Sequence, residues 1–222
     1  MDIERRFLPD RECQIPAVLI RPACPYGAAV IVHGYGGSKE EMLGLGLQVA
    51  EAGLMTCVFD IRGHGEHPFS LDRAVWADLD AAIKFCHLYG TVTAIGHSLG
   101  GRLALLSNAD NCIAISPSLS RKYSERTQEA LQTLRSHRVR PEDIATLLAI
   151  QEQLPIWDPD QDKKKTLILF AERDAPEISE GCNALKKTGV HVVQIQKALH
   201  SDIFFMEETF AVVRDQLKNW YG

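Results

Sequence analysis

Ser98, Asp174 and His200 are the residues whose types and spacing suit nucleophilic chemistry. A serine hydroxyl is a weak nucleophile at neutral pH. It needs a base to take its proton and a carboxylate to orient that base. Ser98 lies in Gly96-His97-Ser98-Leu99-Gly100, a G-x-S-x-G pattern preceded by Thr91-Val92-Thr93-Ala94-Ile95 and followed by Gly101-Arg102-Leu103-Ala104-Leu105-Leu106. The first flank reads as a buried strand and the second as a helix. In that context the pattern predicts a strained turn that presents the hydroxyl at the top of a sheet, with glycines where neighbouring backbone passes close. The Leu99 N–H then opens the helix and faces a developing oxyanion. The alternative is a serine in an ordinary Gly-rich loop.

Asp174 follows the apolar run Thr166-Leu167-Ile168-Leu169-Phe170, and His200 follows the run His191-Val192-Val193-Gln194-Ile195. All three candidates therefore lie past the C-terminal ends of strands, where the sites of open parallel sheets form. Glu172 and Asp60 are the competing acids; Glu172 sits two residues before Asp174, and Asp60 precedes the serine in the chain. His87, His137 and His191 read as surface residues, and His33, His64 and His97 as histidines packed into tight turns. The stretch His33-Gly34-Tyr35-Gly36-Gly37-Ser38 follows a strand and admits two readings: a plain turn, or an anion-facing loop with the Tyr35 N–H as donor. Asp60, His64, Glu66 and His67 match no common metal spacing, so a hydrogen-bonded turn is expected there, with no metal and no cofactor.

The elements that must hold these residues alternate along the chain. A hairpin is expected over 4–21, turning at Pro9-Asp10. Buried strands follow at 28–32, 54–59, 91–95, 112–115, 166–170 and 191–195, their continuous apolar character fitting a sheet covered on both faces. Helices are expected at 39–52, 71–89, 178–188 and 206–220. The alternation breaks over about 119–165, where helices at 124–139 and 141–153 suggest a small helical cap over the serine, the alternative being a peripheral excursion that touches nothing catalytic. Between Ser118 and Arg140 the cations Arg121, Lys122, Arg126, Arg135, Arg138 and Arg140 face only Glu125 and Glu129. Such a surplus is either a solvated helix face or an attractor of anionic substrates.

The 222 residues suit one compact α/β domain, 1–222, with the cap as an insertion. With 45% hydrophobic and 24% charged residues there is enough apolar material for a full core, and a net charge of -5 argues against general nucleic-acid binding. No signal peptide and no membrane span are expected from the N-terminal residues or from any apolar run. The six cysteines are scattered without a C-x-x-C pair, which favours reduced thiols and a cytoplasmic location.

Taken together, His33-Gly34-Tyr35-Gly36-Gly37, Asp60-x-Arg62-Gly63-His64-Gly65, Gly96-His97-Ser98-Leu99-Gly100, Asp174 and His200 resemble the α/β-hydrolase superfamily, close to its serine esterase and lipase-like members. The resemblance runs through nearly the whole chain. It implies a mostly parallel central sheet flanked by helices, a Ser98-His200-Asp174 triad and oxyanion donors at Tyr35 and Leu99. The expected activity is cofactor-independent cleavage of a small-molecule carboxylic ester or thioester through an acyl-serine. Ser98 disfavours the Cys and Asp nucleophiles of dienelactone hydrolases and haloalkane dehalogenases. Acyl transfer or perhydrolysis by the same triad, and a non-catalytic ligand-binding role on the same fold, remain the alternatives. The resemblance assigns no acyl group, alcohol group or oligomeric state.

Overall fold

The structure, a computed structural model, describes residues 1–9 and 14–222. Asp10 of the expected first turn, and Cys13, lie outside the described residues. The strands are β1 (Asp2–Pro9), β2 (Gln14–Arg21), β3 (Ala28–Val32), β4 (Met55–Phe59), β5 (Val92–His97), β6 (Asn111–Ile115), β7 (Lys165–Arg173) and β8 (His191–Leu199). The α-helices are α1 (Leu43–Glu51), α2 (Val75–Cys86), α3 (Leu99–Leu106), α4 (Glu125–Leu134), α5 (Ala145–Gln153), α6 (Pro176–Leu185) and α7 (Glu207–Tyr221).

The strands form one eight-stranded sheet in the order β1-β2-β4-β3-β5-β6-β7-β8. β1 and β2 join antiparallel as an edge hairpin, and the six strands from β4 to β8 run parallel. The central strands β3, β4, β5 and β6 are buried along their whole length. Alternate side chains enter two cores, as the two-residue period of a strand requires. Ala28, Val30 and Val32 face α2, α3, α5 and α6 in one core. Ala29 and Ile31 face α1 and α7 in the other.

Four helices are shorter than the sequence periodicity predicts, each for a local reason. The segment 39–52 begins as a 3-10 turn, Lys39–Met42, because the Lys39 N–H is held by the Asp60 carboxylate at 2.8 Å. The segment 71–89 becomes helical only at Val75: Asp72 accepts from the Ala74 N–H at 2.8 Å, and the Leu71 N–H donates to the Arg140 carbonyl at 2.6 Å. The helix expected over 124–139 stops at Leu134, Arg135 leaves helical geometry at φ -128, and Ser136–Arg138 form a separate 3-10 turn. The helix expected from Pro141 starts at Ala145, where Asp143 accepts from the Thr146 N–H at 3.3 Å. Aspartate side chains and tertiary contacts take the backbone groups that periodicity alone would assign to helix.

One buried cation fastens the long connection between β6 and β7, the segment of the expected insertion, to α3. Arg102 of α3 is 1% exposed. Its guanidinium donates to the carbonyls of Ser120 (3.0 Å), Leu154 (2.8 Å) and Pro155 (3.2 Å), and to the side-chain oxygen of Gln151 in α5. Gln151 in turn donates to the Ser118 hydroxyl at 2.7 Å and the Tyr123 hydroxyl at 2.6 Å. The start and the end of the insertion are thus tied to the helix that follows Ser98. Replacing Arg102 by Met would leave several buried carbonyls unpaired, at about 1–3 kcal/mol each. We expect Arg102→Met to lower the unfolding free energy by at least about 3 kcal/mol in urea titrations, and to bring early proteolytic cuts within 119–165. Wild-type stability in this variant would show that the network is dispensable.

Candidate active site

Ser98 sits between β5 and α3 with φ 56 and ψ -115, a conformation rare for a residue with a Cβ. The turn is possible because its flanking residues are glycine. A methyl group on Gly96 would overlap the Gly100 carbonyl, and one on Gly100 would lie 2.5 Å from the Val32 and His33 carbonyl oxygens. The Ser98 N–H donates to the Ile115 carbonyl at 2.9 Å, and its carbonyl accepts from the Arg102 and Ser118 N–H groups. The elbow is therefore gripped from β6 as well as from its own helix.

The chain from Ser98 to Asp174 is continuous. His200 Nε2 lies 3.1 Å from Ser98 Oγ, and its Nδ1 lies 2.7 Å from Asp174 Oδ1. Asp174 is held by more than His200. Its carboxylate accepts from the Ala171 N–H (3.0 Å), the Ala175 N–H (3.0 Å) and the Ser116 hydroxyl. Burial pushes this carboxyl up, and the His200 and Ser116 hydrogen bonds outweigh it, holding Asp174 below the ordinary aspartate value. Of the competing acids, Glu172 points away and accepts from the Lys197 N–H at 2.7 Å. Asp60 is occupied by the Lys39 N–H, Lys39 Nζ and the Glu66 N–H.

The loop after β3 passes beside the serine, where a methyl group on Gly34 would lie 2.9 Å from Ser98 Cβ. Within that loop the Gly36 N–H donates to His64 Nε2 at 3.0 Å and the Gly37 N–H to the Gly34 carbonyl at 3.0 Å. Among the described residues the N–H groups of Tyr35 and Leu99 have no protein acceptor. A cleft of about 40 Å³ opens here, lined by Ser98 and His200 with Tyr35, Met42, Leu131 and Phe204 among its apolar walls. Leu131 comes from α4, so the inserted segment forms part of this wall.

The model of the Alpha/beta hydrolase family matches residues 29–201. The chain belongs to the α/β-hydrolase family. The thermostable monoacylglycerol lipase of Bacillus sp. (strain H-257) is 31% identical over 83 residues, which is 34% of this chain and 32% of the lipase; the matched stretch thus spans about a third of that relative. Among solved structures, the esterase of Pyrobaculum calidifontis superposes with a TM-score of 0.67 at 22% identity, covering 99% of this chain and 85% of that one. A thermophilic esterase from Thermogutta terrifontis gives 0.71 at 16% identity, with 100% of both chains covered. These likenesses agree with the fold of this α/β-hydrolase, a mostly parallel eight-stranded sheet flanked by helices.

Three residues at the site escape a reading of motifs. Ser116 resembles any strand-end serine, yet its φ of 45 turns its hydroxyl to Asp174. Phe204 lies in a 3-10 turn after His200 and packs against His97 with the rings tilted and their centroids 4.6 Å apart. Arg135 follows α4 and enters the cleft wall. A non-glycine residue at positive φ has no reliable sequence signature, and the other two depend on contacts distant in the chain.

The residues that invited a metal reading are spent on structure. Asp60 and Glu66 share Lys39, at 2.7 and 2.8 Å, and His67 lies 3.5 Å from Asp78. His33 and His64 are wedged behind the Tyr35 loop in the neutral form. His33 donates through Nδ1 to the Gly34 carbonyl and accepts the Ile61 N–H at Nε2. His64 likewise bonds the Arg62 carbonyl and accepts the Gly36 N–H. Burial pushes His33 down to about 4 and His64 to about 3. Ordinary histidines of the unfolded chain protonate near 6.5. Between about 6.5 and about 4 the unfolded state therefore binds more protons, and stability is lost as pH falls. In urea titrations the unfolding free energy should drop through this window, by up to about 1.4 kcal/mol per pH unit for each histidine. His64→Gln, which keeps an acceptor but cannot titrate, should flatten the slope. A flat wild-type profile between pH 6.5 and pH 4 would mean that both histidines charge without cost.

Proposed function

We propose that this α/β-hydrolase cleaves a carboxylic ester or thioester, with Ser98 as nucleophile, His200 as general base and Asp174 as the acid that orients it. The observation that carries this reading is the unbroken hydrogen-bond chain Ser98 Oγ–His200–Asp174. Asp174 accepts from Nδ1–H, which leaves the unprotonated Nε2 facing the serine hydroxyl. His200 takes the hydroxyl proton as Ser98 Oγ attacks the carbonyl carbon. The carbonyl oxygen becomes an oxyanion, and the unused N–H groups of Tyr35 and Leu99 are suited to receive it. Preformed donors of this kind account for a large share of the barrier reduction in acyl transfer. The imidazolium then returns its proton to the departing alcohol or thiol, and an acyl-serine remains. Water enters, His200 accepts one of its protons as the oxygen attacks the acyl carbon, and the imidazolium returns that proton to Ser98 Oγ as the acid departs.

Asp174 supports this cycle because its carboxyl is held ionised, and an ionised partner stabilises His200 whenever the imidazole carries a second proton. The inserted segment acts in this reading as a cap, since α4 contributes Leu131 to the cleft. The protein needs no cofactor for this chemistry. Its free, buried thiols Cys57, Cys86, Cys112 and Cys182 suit a reducing compartment such as the cytoplasm.

A fluorophosphonate probe should label the wild-type chain, and Ser98→Ala should abolish labelling. With short-chain esters, Ser98→Ala and His200→Ala should each lower turnover by at least about a thousandfold while thermal melts show both variants folded. Asp174→Asn should be nearly as severe, by turning the imidazole to the wrong tautomer. Near-wild-type turnover in Asp174→Asn would overturn the assigned acid. An unlabelled, inactive wild-type protein would overturn the hydrolase reading in favour of ligand binding.

A further inference from the structure

Of the six cations between Ser118 and Arg140, Arg121, Lys122 and Arg126 are exposed to solvent. Arg138 is occupied by Glu41 at 2.7 Å and by the Gly36 carbonyl at 3.0 Å. Arg140 donates to the Gly65 and His67 carbonyls. Arg135 differs from all of these. It is half-buried, it lines the cleft that holds Ser98 and His200, and among the described residues its guanidinium has no hydrogen-bond or ion-pair partner.

The root of this side chain is fixed. Gly36, at φ +69, brings its backbone so close to Arg135 that an added methyl group would lie 2.7 Å from Arg135 Cβ and 2.9 Å from its carbonyl oxygen. Ser136 bonds the Tyr35 hydroxyl at 2.9 Å, and Arg138 bonds the Gly36 carbonyl. Arg135 is therefore anchored to the same loop that presents the Tyr35 N–H. The carboxylates at hand are spent: Glu41, also in the cleft wall, pairs with Arg138, and Asp174 pairs with His200 and Ser116. The cleft thus carries one uncompensated positive charge beside apolar Met42, Leu131 and Phe204. A partly desolvated guanidinium is a strong, bidentate partner for a carboxylate. The cleft, at about 40 Å³, is also small, since one water needs about 10–15 Å³ on that scale.

We propose that Arg135 is the specificity-determining residue of this site, and that it selects short substrates bearing a carboxylate close to the scissile ester. This inference rests on the ester-cleavage reading for the scissile bond alone; recognition of the anion stands separately and is tested separately.

Two pairs of esters, matched in shape, read the charge preference and tell the acyl side from the alcohol side. Monomethyl succinate is compared with methyl 4-methylpentanoate, and O-acetylglycolate with isobutyl acetate. For at least one pair, the wild-type enzyme should favour the anion in kcat/KM by about tenfold or more, from a charge-assisted hydrogen bond. Arg135→Gln should collapse that ratio by about 10- to 100-fold, and Arg135→Lys should restore part of it. Arg121→Gln with Lys122→Gln should keep the wild-type ratio. Raising the salt from 0.05 to 0.5 M should shrink the preference, because the site is partly open to solvent. Calorimetric binding of the same four esters to Ser98→Ala, with and without Arg135→Gln, gives a readout free of turnover. A wild-type ratio near one for both pairs, or equal losses on anionic and neutral esters in Arg135→Gln, would overturn the inference. Anion-selective binding that needs Arg135 in a protein without turnover would uphold it and overturn ester cleavage instead.

Discussion

The backbone at Ser98 is the constraint on which the rest of the structure depends. A chain leaving β5 and entering α3 at φ 56 must fold back sharply enough for Gly100 to meet Gly96. Side chains at either position would collide with backbone, so two glycines are obligatory and the serine bears the strain. The same fold-back brings Gly100 against the end of β3, at the Val32 and His33 carbonyls. The loop after β3 then has one course open to it, past Ser98. Parallel pairing of β3 with β5, from Ala28 opposite Val92 to Val32 opposite Gly96, sets both strand ends level. Tyr35 and Ser98 consequently line one small cleft.

Around this elbow the polar groups divide by what satisfies them. Asp174 is buried and remains ionised because four donors converge on it. His33 and His64 remain neutral because burial disfavours the charged ring, and each accepts a backbone N–H at Nε2. Arg102 is buried and cationic, and carbonyls with one amide oxygen answer all its contacts. A desolvated charge without such partners would cost several kcal/mol. Among the described residues of this neighbourhood, the Arg135 guanidinium faces the cleft without a partner. That contrast separates charges used to hold the fold from a charge left available to a ligand.

The inserted segment shows how tertiary contacts override local preference. Periodicity carries a helix through 124–139, but Ser136 and Arg138 find hydrogen-bond partners on the Tyr35 loop, and the helix ends at Leu134. Strands were more legible. The runs at 28–32 and 112–115 match β3 and β6 nearly residue for residue, because a strand buried on both faces must be apolar throughout. Helix ends were less legible, because aspartates such as Asp72 and Asp143 compete for the first-turn N–H groups.

What the sequence by itself determined is local in origin. Glycine spacing around Ser98, apolar runs of strand length and the order serine, aspartate, histidine depend on near neighbours in the chain, and they point to the α/β-hydrolase sheet and to the three residues joined in the proposed triad. What only the tertiary structure decided lies between residues far apart in sequence. Ser116 reaches Asp174 across 58 residues, and Tyr35 meets Ser136 across 101. The choice of Arg135 among six cations likewise rests on where the fold places the others, three exposed to solvent and two held by distant partners. Such contacts follow from strand register and from the closing of loops against one another, and no short motif encodes either.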